Sequence, residues 1–75
     1  MNKQDRKELQ RAIDLLNDAK EIIESIGTCE QDKYDNLSEG LQATERGQKF
    51  EENASALENS ASSIDDIISE IEETL

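Results

Sequence analysis

Apolar residues recur at alternating steps of three and four through the first third of the chain. This spacing is a heptad repeat, which aligns its members along one side of an α-helix. Ile13, Leu15 and Ile22 lie beside the repeat and widen the apolar stripe beyond a narrow two-stranded seam. The pattern predicts a first helix over about residues 3–26. Its predicted core positions are Leu9, Ala12, Leu16, Ala19, Ile23 and Ile26.

A second heptad repeat fills the last third of the chain, with Ile67 beside it. It predicts a second helix over about residues 45–74. A strict 3.5-residue period favours helices that pack at a shallow angle with a left-handed twist. The predicted core positions of this helix are Phe50, Ala54, Leu57, Ala61, Ile64, Ile68, Ile71 and Leu75.

The expected helix ends carry recognisable capping residues. Asn2 and Thr44 have side-chain oxygens that suit the N-cap positions of the two helices. Gly27 directly follows the last residue of the first repeat, so we predict that it ends the first helix in the left-handed conformation.

The connector over about residues 27–44 is longer than the roughly 2–8 residues that usually join two helices. Tyr34, Leu37 and Leu41 are spaced three and four apart within it, and Ser38 before Glu39 favours a short helical turn. We therefore expect the connector to be ordered and packed over one end of a helical hairpin.

The distribution of charge favours an antiparallel hairpin. The chain has 19 acidic and 8 basic residues, for a net charge of −11. Basic residues crowd residues 1–11, whereas residues 50–75 carry only acidic ones. Each group opposes the dipole of its own helix, and an antiparallel arrangement lets the two groups compensate each other. The net charge also argues against direct binding to nucleic acid or to anionic membranes.

Two helices alone cannot enclose the apolar residues of these repeats. The expected fold is therefore an all-α, antiparallel helical hairpin with coiled-coil-like packing that dimerises into a four-helix bundle. The competing interpretation is that the uncovered stripe binds a different protein.

The residue types argue against catalysis, a metal site or a cofactor. Histidine is absent and Cys29 is the single cysteine, so the usual proton-transfer and metal-binding groups are missing. Adjacent carboxylates such as Asp65 and Asp66 point in different directions on a helix. We expect no enzymatic activity. The N-terminal residues have no signal-peptide pattern, and no apolar run is long enough to span a membrane, so a cytoplasmic location is expected.

The acidic second helix has two interpretations. The simpler one is a solvated surface that keeps a small helical protein soluble. The alternative is a DNA mimic, whose carboxylates would occupy the basic groove of a host or defence nucleic-acid-binding protein. The candidate carboxylates for a basic protein partner are Asp65, Asp66, Glu70, Glu72 and Glu73. In the mimic, Glu51, Glu52 and Glu58 would extend this surface. A second candidate surface is the connector tip at Tyr34, Asp35 and Asn36.

The segment from Tyr34 to Gly47 reads Tyr-Asp-Asn-Leu-Ser-Glu-Gly-Leu-Gln-Ala-Thr-Glu-Arg-Gly. It resembles a segment of small acidic proteins from phages and mobile elements of Gram-positive bacteria, in which an acidic helix follows. The resemblance covers residues 32–75, and Ser38 stands where the family commonly has proline. It implies a helical hairpin and a phage or mobile-element context. It assigns no activity and no catalytic residue.

Overall fold

The computed structural model describes all 75 residues and contains three helices and no strand. Helix α1 spans Lys3–Asp35, the short helix α2 spans Glu39–Gln42, and α3 spans Glu45–Glu72. Helices α1 and α3 pack along their lengths as an antiparallel pair, and α2 lies at the turn between them. The all-α helical hairpin predicted from the two heptad repeats is confirmed.

The hairpin is a thin rod. Its principal dimensions are 58 × 15 × 13 Å, and its radius of gyration is 17.1 Å. A compact domain of this length has a radius of gyration of about 11 Å. The rod follows from the length of α1, since 33 helical residues extend about 50 Å.

Helix α1 is longer than the sequence pattern predicts, because Gly27 does not end it. The helix continues to Asp35, and no residue in the chain has a positive φ. A Cβ atom built on Gly27 would lie 3.3 Å from the Cβ of Leu57. Gly27 therefore serves the close approach of α3 and leaves the helical conformation unbroken. Most of the predicted connector is consequently helical, and only a short tip separates α1 from α3.

The caps follow the predicted chemistry. The side chain of Asn2 accepts a hydrogen bond from the backbone N–H of Asp5 at 2.7 Å, so it caps α1 as predicted. Thr44 caps α3 by accepting a hydrogen bond from the N–H of Gly47 at 3.2 Å. Ser38 caps the short helix α2, which confirms the predicted helical turn.

Two glutamine side chains fix the tip. The Nε2 of Gln42 donates a hydrogen bond to the carbonyl of Tyr34, and the Nε2 of Gln48 donates one to the carbonyl of Gln42. Gly47 is buried where α3 starts, and a Cβ atom there would lie 2.5 Å from the carbonyl oxygen of Leu41. The tip is therefore a close-packed joint that depends on the absence of a side chain at Gly47.

The side of α1 that faces α3 includes only every second residue of the predicted row: Leu9, Leu16 and Ile23 face inward as predicted, and the residues between them do not. Ala19 and Ile26 are exposed and Ala12 is half-buried, whereas their neighbours Ile13, Lys20 and Gly27 turn inward. The inward row containing these neighbours ends in the large side chain of Tyr34. One heptad beyond Ala12 and Ile26, the positions that the predicted row would reach next are Asp5 and Lys33, whose charged side chains favour solvent. The inward positions of α1 are Leu9, Ile13, Leu16, Lys20, Ile23, Gly27, Glu30 and Tyr34.

Helix α3 turns its heptad residues towards α1. Ala54, Ala61 and Ile68 are buried, while Leu75 lies beyond the helix and is exposed. Phe50, Leu57, Ile64 and Ile71 are half-buried. Only 5 of the 75 residues are buried in the whole hairpin, so its core is thin.

Candidate interaction surfaces

Helix α1 carries a second heptad row that the hairpin leaves uncovered. Leu15, Ile22 and Ile26 are 58%, 62% and 50% exposed. Together with smaller residues they form a row spaced alternately by three and four positions. This row lies about 100° around the helix axis from the row that faces α3. The complete row is Ala12, Leu15, Ala19, Ile22, Ile26 and Cys29, of which Ala12 is half-buried and the others are exposed.

The exposed large side chain of α3, Ile67, lies on the same side of the hairpin. Residues separated by whole heptads lie in line along a helix. Ile67 therefore lies in line with Arg46 on α3, and Ile26 lies in line with Lys33 on α1. Lys33 and Arg46 both lie over the ring of Phe50, with centroid distances of 5.7 and 5.5 Å. Because Phe50 joins these two rows, the exposed residues of both helices form one surface, which we call the apolar face. Its residues on α3 are Asn53, Ala56, Ser60, Ser63 and Ile67.

The apolar face has no charged side chain along its middle. The face is uncharged between Glu8 and Lys33 on α1, and between Lys49 and Glu70 on α3. Charged residues are 36% of the chain, so a charge-free surface of this length reflects a strong segregation of charge. Segregation of this kind is typical of a surface that is covered in the functional protein.

The opposite side of the hairpin is polar and acidic. Along it, α3 carries a row of four carboxylates spaced by seven residues, Glu51, Glu58, Asp65 and Glu72, which we call the acidic row. Lys20 reaches this side from α1, and its Nζ lies 2.8 Å from an oxygen of Asp65 and 3.6 Å from one of Glu24. The Lys20–Asp65 contact is the one ion pair between α1 and α3, and it places a positive charge in the acidic row near its middle.

The five candidate carboxylates of the second helix do not share one surface. Asp65 and Glu72 belong to the acidic row, whereas Asp66 and Glu73 point away from α1 on the outer edge of α3. Glu70 lies at the end of the apolar face. All five are exposed.

The candidate residues of the tip also separate. Tyr34 is half-buried and turns towards Glu51, whereas Asp35 is exposed and accepts a hydrogen bond from Gln31 at 2.9 Å. Asn36 is the C-cap residue of α1. Tyr34 thus belongs to the joint between the helices, and only Asp35 and Asn36 remain free at the surface.

Two groups between the helices titrate at high pH. Hydrogen bonding to Asp65 raises the pKa of Lys20 above its ordinary value of 10.5. Hydrogen bonding to Glu51 raises the pKa of Tyr34 above 10.0. Both groups hold their protons more tightly in the folded chain, so their contribution to stability is complete below about pH 10 and is lost as pH rises through the folded pKa values.

We therefore expect the melting temperature to fall as the pH rises above about 10. Tyr34→Phe should make this fall shallower, because it removes one of the two groups. Circular dichroism melts across this range test the prediction, with the unmodified chain as the reference. An equally steep fall in the variant would contradict it.

No group of three or more metal-ligating side chains comes together, and Cys29 is an exposed free thiol on the apolar face. No helix has both the length and the apolar composition needed to cross a membrane. The features that distinguish the molecule are its two chemically different sides.

The fold and surfaces define an acidic, two-sided helical hairpin. Comparisons with known proteins add no family: no protein-family model matches the chain, and no curated protein and no solved structure is significantly similar to it.

Proposed function

We propose that this chain is a non-enzymatic interaction protein that works as a homodimer. Two hairpins pack their apolar faces together into a four-helix bundle, and the bundle presents its acidic sides to a partner. The observation that carries the proposal is the charge-free apolar face along one side of an otherwise highly charged rod.

The surface area of the hairpin supports a dimer. The hairpin exposes 5522 Å². A compact protein of this mass exposes about 4600 Å², so the excess is about 900 Å². A standard protein interface buries about 800 Å² on each partner. The area that each hairpin would bury in a standard dimer interface is therefore close to the area by which its exposed surface exceeds that of a compact protein.

The thin core supports the same conclusion. The buried apolar side chains of the hairpin are Ile13, Ala54, Ala61 and Ile68, which is a small set for a 75-residue domain. In the proposed dimer, Leu15, Ile22, Ile26 and Ile67 join them in a shared core. A four-helix bundle encloses its core on all sides, which a pair of helices cannot do.

The dimer places the acidic rows on its two outer sides. A surface with this charge attracts a protein with a basic patch, and the long-range field favours the encounter. The resemblance of residues 32–75 to small acidic phage and mobile-element proteins adds a phage or mobile-element context to the proposal. A cytoplasmic location is part of the same proposal.

The second candidate function is inhibition of a nucleic-acid-binding protein by DNA mimicry. It draws on the acidic row and on the absence of basic residues from Phe50 onward. The neutralising contact of Lys20 with Asp65 and the dispersal of Asp66, Glu70 and Glu73 weaken it, because a mimic needs closely spaced negative charges. Competition between the chain and duplex DNA for the same basic protein distinguishes this candidate.

The molar mass in solution tests the dimer. We expect multi-angle light scattering to give twice the chain mass of 8.4 kDa at both low and high salt, because the middle of the interface carries no charged side chain for salt to screen. A folded monomer at micromolar concentration would overturn the proposal. The apolar face would then be free to bind a different protein.

A further inference from the structure

We infer that the two hairpins of the dimer run in opposite directions, so that the tip of each lies over the open end of the other. This inference rests on the proposed homodimer and specifies the interface. It assigns the second copy of this chain as the occupant of the apolar face and pairs α1 with α1 of the partner subunit.

Two-fold symmetry allows two ways to stack the apolar faces. If the axis runs along the hairpins, the two tips lie together and α1 packs on α3 of the partner subunit. If the axis runs across the hairpins, each tip lies over the partner's open end and like helices pack on each other. Both arrangements bury the apolar face, so the charged residues at its two ends decide between them.

The two ends of the apolar face carry opposite charges. At the tip, Lys33, Arg46 and Lys49 form a basic corner of this face. At the open end the charged residues on the face are Asp5, Glu8 and Glu70, with Arg11 beside Glu8 at 3.9 Å on the adjoining edge. Arg46, Lys49, Asp5 and Glu70 make no ion pair within the hairpin. Stacking with the tips together brings Lys33 close to Lys49 of the partner subunit, whereas the opposed arrangement brings Lys33 opposite Glu8 of the partner subunit.

The exposed row of α1 is symmetric in a way that fits the opposed arrangement. Its midpoint lies between Lys20 and Glu21, so a two-fold axis there pairs Leu15 with Ile26 of the partner subunit and Ala19 with Ile22 of the partner subunit. The same axis pairs Glu8 with Lys33 of the partner subunit. It also brings Ala12 opposite Cys29 of the partner subunit, which makes the native thiol a probe of orientation.

Disulfide trapping tests the orientation. In the opposed dimer, Ala12→Cys creates a thiol that faces Cys29 of the partner subunit, and mild oxidation should give a covalent dimer. The two positions are about 26 Å apart on one helix, so no bond can form within a chain. The unmodified chain should stay monomeric on a non-reducing gel, because its two Cys29 residues are about 26 Å apart in this dimer.

A matched variant reports the other arrangement. Ala56 lies on α3 near the level of Cys29, so Ala56→Cys faces Cys29 of the partner subunit only when the tips lie together. We expect strong cross-linking with Ala12→Cys and little with Ala56→Cys. If the protein is dimeric by light scattering but Ala12→Cys fails to cross-link, the orientation is overturned whatever Ala56→Cys does. A monomeric unmodified chain overturns the proposed function instead.

Charge reversal gives an independent readout. In the opposed dimer, Glu8→Lys and Lys33→Glu should each raise the dissociation constant about tenfold, since each places like charges together twice per dimer, and the double variant should restore it. Glu21→Lys and Lys7→Glu make the same changes in net charge away from the apolar face and serve as controls. If both single reversals strengthen the dimer relative to these controls, the tips lie together and the inference is wrong.

Discussion

Ile22→Asp is expected to convert the proposed dimer into a folded monomer. Ile22 is 62% exposed in the single hairpin, so an aspartate there remains hydrated and leaves the contacts between α1 and α3 intact. In the dimer the same position is buried near Ala19 of the partner subunit. Burying a charge in an apolar interface costs several kcal/mol, so we expect the dissociation constant to rise at least about a thousandfold. Sedimentation or light scattering measures the mass, and circular dichroism measures the helix content.

The control for this variant adds the same charge to a different side. Asn17 is exposed on the polar side of α1, so Asn17→Asp should leave the dimer intact. If both variants dissociate the dimer, the cause is the change in net charge. If Ile22→Asp leaves the mass unchanged, the apolar face is not the interface.

Gly47→Ala is expected to destabilise the hairpin by about 2 kcal/mol. An added Cβ atom would lie 2.5 and 2.7 Å from the carbonyl oxygens of Leu41 and Gln42, so the joint between α2 and α3 has to open. The higher helix propensity of alanine, worth about 1 kcal/mol, offsets only part of this loss. Urea denaturation followed by circular dichroism measures the change in the free energy of unfolding.

Gly40 provides the matched control at the same tip. A Cβ atom at Gly40 meets nothing within 4 Å, and its φ is not positive. Gly40→Ala should therefore stabilise the protein by about 0.5–1 kcal/mol, by restricting the unfolded chain. Equal effects of the two substitutions would show that close packing at Gly47 has no energetic role. Because both residues are remote from the middle of the apolar face, the mass of the dimer should not change.

The sequence predicted the elements better than it predicted which residues face each other. The alternation of apolar and polar residues indicates both long helices, and the side chains of Asn2, Ser38 and Thr44 indicate where helices start. These features depend on neighbours within one turn, so they can be derived without the rest of the chain. The glycines are different. Gly27 is explained by its contact with Leu57, which is distant along the chain, and Gly47 by the close approach of Leu41 across the turn between α2 and α3.

The choice between rows on α1 also required tertiary information. The row of Ala12, Ala19 and Ile26 has a more regular apolar pattern than the row of Ile13, Lys20 and Gly27. The second row faces α3 because Gly27 admits Leu57 closely and Lys20 reaches Asp65, and both contacts depend on residues of the other helix. The first row is consequently left exposed, and it forms the apolar face on which the proposed function rests.

The sequence by itself determined that this protein is an acidic, all-helical chain with two heptad repeats and capped helix starts. It did so because helical periodicity and capping are local properties of the chain. Only the tertiary structure decided which side of α1 is covered, and thereby separated an apolar face from an acidic row. That choice is made by the mutual packing of two helices, whose fit depends on the shapes and charges of both surfaces together.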